Sequence, residues 1–156
     1  MRVGIGYDAH VLTEGRTLVL GGVIVPYEKG LDGYSDADVL VHAVIDALLG
    51  AAGLEDIGHQ FPTGDPQYKD ASSIHLLEQT GFLIGANGFV VKNIDSTLIA
   101  QDPKIAPYID DMRHNIALAL HIKDDQVMVK ATTTDGLGFS GKGEGMAAQA
   151  VVLLEE

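Results

Sequence analysis

The sequence predicts an α+β fold, a single domain over residues 1–156 with one mixed sheet covered by helices on one face. Three observations lead there. A chain of 156 residues has one-domain length, and 46% hydrophobic residues supply a core that buries roughly 70% of the unfolded surface. β-rich and helical runs interleave along it, as in domains where helices pack on a sheet. No repeat, linker or low-complexity tract divides it.

Arg2–Tyr7 reads as the first strand. Thr17–Leu20 and Val23–Val25 flank Gly21-Gly22, a hairpin signal, since glycines adopt the positive φ of a two-residue turn. Ser35 and Asp36 offer N-caps to a helix running to about Ala52, and Gly53 ends it. Glu55–Tyr68 reads as irregular because Gly58, Pro62, Gly64 and Pro66 punctuate it. A second helix starts at Ser72 or Ser73 and ends near Gly81 or Gly85. Phe89–Ile99 reads as a strand, Pro103–Leu120 as a third helix and Val127–Thr133 as a strand. Asp135–Gly145 is a glycine-rich loop. Met146–Leu154 is assigned as a strand, because Val151-Val152-Leu153-Leu154 follows that loop with little room for a full helix.

Composition excludes several function classes. Ten Lys+Arg against 22 Asp+Glu leave a formal charge of −12, which opposes binding to nucleic acid. The lack of cysteine excludes disulfides, thiolate metal sites and a cysteine nucleophile. Met1–Gly6 has no apolar signal segment, and the longest apolar stretch, Val39–Leu54, is interrupted by His42 and Asp46 and is too short to span a bilayer. A cytoplasmic protein with no membrane partner is expected. Nineteen Gly against four Phe and no Trp point to close backbone approaches rather than aromatic stacking.

Three glycine motifs are rejected as nucleotide fingerprints. Gly136-Leu137-Gly138-Phe139-Ser140-Gly141 fits GxGxxG but lacks the following helix and the later acidic residue that a dinucleotide site needs. Gly136–Lys142 fits GxxxxGK, yet Gly143 stands where a magnesium-binding Ser or Thr belongs. Gly4-Ile5-Gly6 is followed by β-like sequence.

The chemistry lies elsewhere. Asp8 and His10 are two apart on a strand and so share a face, a carboxylate beside an imidazole, both of them zinc ligands. Asp38, His42 and Asp46 recur at i, i+4, i+8 as a polar stripe on an apolar helix. Asp8, His10 and His42 would leave a fourth tetrahedral position open, with Asp46 or Asp38 orienting the His42 ring. The other histidines, His59, His75, His114 and His121, have no mutual spacing and read as surface residues. Ala131-Thr132-Thr133-Thr134 reads either as β-propensity or as hydroxyl donors to phosphate, with Asp135 a ligand for a hard cation.

In order along the chain, the blocks are Gly6-Tyr7-Asp8-Ala9-His10, Ser35-Asp36-Ala37-Asp38, His42-Ala43, Asp46–Ala51, Asp56-Ile57-Gly58, Phe61-Pro62, Ala100-Gln101, Pro103-Lys104, Lys130–Thr134, Gly138-Phe139 and Gly143-Glu144-Gly145. Together they resemble the 2-C-methyl-D-erythritol 2,4-cyclodiphosphate synthase family across nearly the whole chain. The resemblance implies a homotrimer whose sheets pack together and whose active sites lie between subunits. It implies that 4-diphosphocytidyl-2-C-methyl-D-erythritol 2-phosphate, a cytidine diphosphate substrate, closes to the cyclic diphosphate with loss of CMP. Asp8, His10 and His42 would hold Zn2+ or another divalent transition metal, and Asp135 a second divalent cation, Mg2+ or Mn2+. Substrate would meet Asp8, His10, Tyr34, Ser35, Asp56, Ile57 and Gly58, with the Phe61, Pro62, Thr63, Gly64 and Asp65 loop beside them. Ala100, Gln101, Asp102, Pro103, Lys104, Ile105 and Ala106 would form the cytidine pocket. Thr132 and Thr133 would bind the diphosphate, Thr133 supporting transition-state charge, with Ala131, Thr134, Asp135, Phe139 and Lys142 also at substrate-binding positions.

Four residues depart from the family pattern. Tyr34 replaces a usual histidine that carries transition-state charge, so it can donate a hydrogen bond but brings no cation. Asp135 replaces a usual Glu and is one methylene shorter. Lys142 replaces a frequent Arg near the trimer axis and Gln149 a frequent Glu, which bears on isoprenoid-diphosphate binding there. Two alternatives stand beside the synthase: a zinc phosphoesterase on the same ligands, and a non-catalytic CMP-binding trimer.

Overall fold

A computed structural model describes residues 1–156. Its strands are β1 (Arg2–Glu14), β2 (Leu18–Leu20), β3 (Val23–Val25), β4 (Lys29–Leu31), β5 (Val90–Ile99), β6 (Val127–Thr132) and β7 (Gly145–Glu155). Its helices are α1 (Val39–Ala52), α2 (Ile57–Gln60), α3 (Ser73–Ala86), α4 (Ile109–Ala119) and α5 (Gly138–Gly141). Five strands make one mixed sheet in the order β4-β1-β7-β5-β6, antiparallel except for the parallel β5–β6 pair, while β2 and β3 form a separate hairpin. The expected α+β architecture is therefore present. No helix is long and apolar enough to cross a membrane.

Strand alternation separates the two faces of the sheet. Gly4, Gly6 and Leu12 of β1 are buried, and so are Ala148, Ala150, Val152 and Leu154 of β7, beneath the helices. Val3, Ile5, Tyr7 and Val11, together with Met128 and Val151, are exposed on the other face. Apolar side chains surround α1, and nearly all of it is buried, which suits a helix covered on every side.

The glycines of β1 set the distance between helix and sheet. A Cβ at Gly4 would lie 2.0 Å from the Ala47 carbonyl oxygen, and one at Gly6 1.9 Å from that of Ala43. The helix backbone thus rests on the strand, with the small residues Ala43, Ala47 and Ala51 at i, i+4, i+8 beneath it.

Several boundaries differ from the sequence expectation. β1 continues through Asp8 and His10 to Glu14 because β7 and β4 pair with its second half. The α1 cap is Asp38 instead of Ser35 or Asp36, since Ala37 at φ +56° turns the chain before the helix begins. The third helix covers only Ile109–Ala119, preceded by a single 3-10 turn at Ala106–Tyr108. Pro107 has no N–H to donate to the Pro103 carbonyl four residues back, so an α-helical ladder cannot begin at Pro103 and run through it. The glycine-rich loop contains α5, and the irregular stretch after α1 contains α2.

Asp38 is fully buried and serves two elements. Its carboxylate accepts from Val41 N–H at 3.1 Å as the helix cap, and from Gly21 and Gly22 N–H at 2.9 and 2.7 Å, which pins the β2–β3 turn. Burial, then the neighbouring Asp36 charge, push its pKa up to about 6 against these hydrogen bonds. The folded chain thus binds this proton more tightly than the unfolded chain, so stability rises as pH falls from 7 through 6. Thermal melts are expected to give a higher Tm at pH 5.5 than at pH 7. Asp38→Ala should reduce that increment and cost about 2–4 kcal/mol in urea at neutral pH, because three backbone donors lose their acceptor.

Candidate metal centre

Gly4 lies under Ala47 and Ala51, and Gly6 under Ala43, so β1 ascends as α1 descends. The next inward residues of the strand, Asp8 and His10, therefore meet the first turn of α1, where His42 sits. Asp8 Oδ2 is 2.8 Å from His10 Nε2 and 3.0 Å from His42 Nδ1, and the two ring nitrogens are 3.3 Å apart. Donors of a tetrahedral zinc ion at about 2.0–2.1 Å are separated by about 3.3–3.4 Å. The triad already has nearly that spacing.

The hydrogen bonds behind the triad make it a ligand set. His10 Nδ1 meets the Asp32 carbonyl at 2.9 Å, and a carbonyl only accepts, so Nδ1 carries a proton and Nε2 is the nitrogen aimed at Asp8 and His42. His42 Nε2 faces Ser73 Oγ at 2.8 Å and Ser35 Oγ at 3.1 Å, leaving Nδ1 toward Asp8. Burial pushes the Asp8 carboxyl up, but the hydrogen bonds and charges of both imidazoles outweigh it and hold the pKa at about 2. His10 moves oppositely. Its burial acts downward, and its bond to Asp8 raises it overall. A carboxylate with two imidazole lone pairs at this spacing fits a divalent transition metal.

Above the triad opens a cavity of about 200 Å³ lined by Asp8, His10, Tyr34, Ser35, His42, Ile57, Gly58, Phe61, Thr63, Tyr68 and Leu76. Nine of these are residues that the sequence singled out. Tyr68 and Leu76 are not. Tyr68 packs edge-on against Phe61 with centroids 5.4 Å apart, a contact that no spacing rule announces, and Leu76 is an ordinary apolar position of α3. Asp56 caps α2, accepting from His59 N–H at 2.9 Å and pairing with its Nδ1 at 2.7 Å. That hydrogen bond lowers the pKa of Asp56 and raises that of His59. Pro62, Gly64 and Asp65 follow outside the lining. Tyr34 donates its one hydroxyl proton to the Asp65 carbonyl at 3.0 Å, which ties this loop to the segment before α1.

Asp38 and Asp46 do not orient His42. Asp38 is turned toward the β2–β3 hairpin, and Asp46 accepts from Ile57 N–H at 2.8 Å, holding the start of α2. Helical periodicity put all three on one stripe, but an eight-residue span reaches different neighbours at its two ends.

The remaining site residues form a second cluster at the ends of the parallel strands β5 and β6. Ala100 N–H donates to the Thr132 carbonyl at 3.0 Å, and Gly136 N–H to Gln101 Oε1 at 3.4 Å, joining the Ala100–Ala106 and Ala131–Asp135 segments. Thr133 Oγ1 donates to Asp135 Oδ1 at 3.2 Å. Phe139 lines a shallow depression with Ala9, His10 and Val11, and Lys142 caps α5. None of the Ala100–Ala106 and Ala131–Asp135 residues lines the cavity over the triad, whereas Phe139 borders the ligand His10 from the other side.

A model of the YgbB family matches residues 1–155. The 2-C-methyl-D-erythritol 2,4-cyclodiphosphate synthase of Moorella thermoacetica is 60% identical over 154 residues, 99% of this chain and 94% of that protein. The synthase of Clostridium perfringens (strain ATCC 13124) is also 60% identical over 154 residues, 99% of each chain. Among solved structures, the bifunctional IspDF from Campylobacter jejuni superposes with a TM-score of 0.94 at 44% identity, over 98% of this chain and 42% of that one. The CDP complex of IspF from Plasmodium falciparum superposes with a TM-score of 0.85 at 34% identity, over 98% of this chain and 94% of that one.

Proposed function

The chain belongs to the YgbB family, and from that premise we propose that it converts 4-diphosphocytidyl-2-C-methyl-D-erythritol 2-phosphate to 2-C-methyl-D-erythritol 2,4-cyclodiphosphate and CMP, a step of non-mevalonate isoprenoid synthesis. The observation that carries the reading is the Asp8–His10–His42 triad on the floor of a cavity walled by Ser35, Gly58 and Phe61. An oxygen of the 2-phosphate attacks the β-phosphorus, a new P–O bond forms, and the bond from the β-phosphorus to the oxygen retained by CMP breaks. No general base is needed, because the nucleophile is already an anion. The residues therefore act by positioning and by stabilising charge.

Asp8, His10 and His42 would hold a divalent transition metal, zinc by donor type, which when bound neutralises and aligns the phosphate. The chain is acidic overall, so attraction of a polyanion has to be local. Ser35 Oγ accepts from Ala37 N–H at 3.3 Å and contacts His42 Nε2, which leaves its hydroxyl proton for a phosphate oxygen. Asp56, through the carboxylate oxygen that His59 leaves free, would take the methylerythritol hydroxyls. Thr132 and Thr133 would bind the diphosphate, with Asp135 holding magnesium or manganese beside Thr133. Tyr34 serves best as the fastener of the 61–65 loop, since its proton is engaged by Asp65.

The second cluster would complete the site of a neighbouring subunit. Val3, Ile5, Tyr7, Val11, Met128 and Val151 leave an apolar sheet face uncovered, which supports a homotrimer with those faces packed together. Incubation with the cytidyl substrate, zinc and magnesium, followed by ³¹P NMR, is expected to give cyclic diphosphate and CMP in equal amounts. Inorganic phosphate would instead establish a phosphoesterase, and an unchanged spectrum would sink the synthase assignment.

A further inference from the structure

Ser35 stands between two cavities. One is the cavity over the triad, and the other, of about 370 Å³, is bordered by Arg16, Thr17, Asp36 and Asp70. Arg16 is the one cation of that second cavity, yet neither carboxylate beside it takes its hydrogen bonds. Its Nε donates to the Leu31 carbonyl at 3.0 Å and its Nη2 to the Ser35 carbonyl at 3.0 Å. The direction of both bonds is fixed, because a guanidinium only donates and a carbonyl only accepts.

Leu31 and Ser35 are the two ends of the segment that leaves β4 and approaches α1. Asp32 and Tyr34 within it have backbone ties of their own. Asp32 N–H donates to the Val11 carbonyl at 2.9 Å, and the Tyr34 carbonyl accepts from Asp70 N–H at 2.9 Å. No backbone N–H reaches the Ser35 carbonyl. Ser35 is buried, so without Arg16 this carbonyl would be an unpaired acceptor shielded from water. Its peptide would have to turn toward a new donor, and the Ser35 side chain would turn with it. The support is itself anchored. Gly15 at φ +79° turns the chain out of β1, and Gly30 of β4 lies against the Arg16 and Thr17 carbonyls too closely to admit a Cβ.

We propose that Arg16 is a positioning residue for substrate binding, which fixes Ser35 from behind the cavity wall so that its hydroxyl meets a substrate phosphate. This rests on the synthase reading, in which Ser35 donates to the phosphate. Arg16 does not line the cavity over the triad, so it touches neither the substrate nor the metal ligands. A guanidinium joins two carbonyls as a rigid fork. A lysine ammonium carries the same charge without that planar geometry.

Steady-state kinetics with the cytidyl substrate and hydrogen exchange by NMR, both on the full chain, test this. Arg16→Ala should raise KM about tenfold or more, the effect of one hydrogen bond to a charged group. It should leave kcat within about twofold, since Ser35 holds the phosphate in the ground and transition states alike. Arg16→Lys should show the same rise. In both variants the buried Ala37 amide, which donates to Ser35 Oγ at 3.3 Å, should exchange faster than in wild type. A wild-type KM in Arg16→Ala would overturn the proposal whether or not Tm falls, because a merely structural role lowers Tm alone. A wild-type KM in Arg16→Lys would overturn it in favour of charge attraction. A raised KM with unchanged Ala37 exchange would overturn it too, since Ser35 would not have moved. Failure of the wild-type chain to release CMP would overturn the synthase reading itself, a result distinct from an active wild type whose KM Arg16→Ala leaves intact.

Discussion

His42→Ala is expected to lower the rate of CMP release by at least about 10³-fold, because it removes one of three metal donors and with it several kcal/mol of charge stabilisation. The fold should survive. Alanine suits the first turn of α1, and the core of the helix is carried by Val39, Leu40, Val44 and Leu48, which are untouched. The cost to stability is confined to one lost contact each at Ser35 and Ser73, which keep Ala37 N–H and Asp36 as partners, and a small cavity. The checks are CMP release, zinc content and melting temperature measured on the same preparation. Activity within tenfold of wild type, with zinc lost, would mean that the triad is not the catalytic metal site.

Gly6→Val should unfold the chain or loosen it severely. A Cβ at Gly6 meets the Ala43 carbonyl oxygen at 1.9 Å and Ala47 N at 2.8 Å, both backbone atoms that no rotamer can move aside. Contact distance requires α1 to withdraw by more than about 1 Å over much of its length, and a close-packed core resists that at about 3 kcal/mol or more. His42 precedes Ala43, so any surviving fold carries its ring away from Asp8 and His10 and loses metal affinity too. Gly50→Ala is the matched contrast. That glycine is exposed within α1 and a Cβ there meets nothing within 4 Å, so the change should stabilise the protein by about 0.5–1 kcal/mol through helix propensity. Denaturant melts of the two variants should therefore move in opposite directions. A Gly6→Val protein as stable as wild type would refute the close approach of helix and strand.

These predictions mark which kinds of information each level of description held. The hairpin at Gly21-Gly22, the end of α1 at Gly53 and the strands before and after the glycine loop were legible because turn chemistry and alternation act within a few residues. The ligand types were legible for the same reason, since Asp8 and His10 share a strand face by period two. The third helix was overextended because the segment from Pro103 carries helical composition while Pro107 lacks the N–H that an α-helical bond to the Pro103 carbonyl needs.

By itself, then, the sequence determined the elements, the chemistry of the donors and the blocks of family resemblance. Tertiary structure decided the partners. Three acidic side chains close together in the chain go to three different tasks: Asp36 to Ser73, Asp38 to the β2–β3 turn, Asp46 to the start of α2. Tertiary structure likewise divided the expected site residues between the triad cavity and the ends of β5 and β6. The physical reason is range. Propensity and periodicity act over one or two turns of backbone, whereas a carboxylate taken partly or wholly out of water accepts from whichever donors packing delivers, from residues 16 and 37 positions away here.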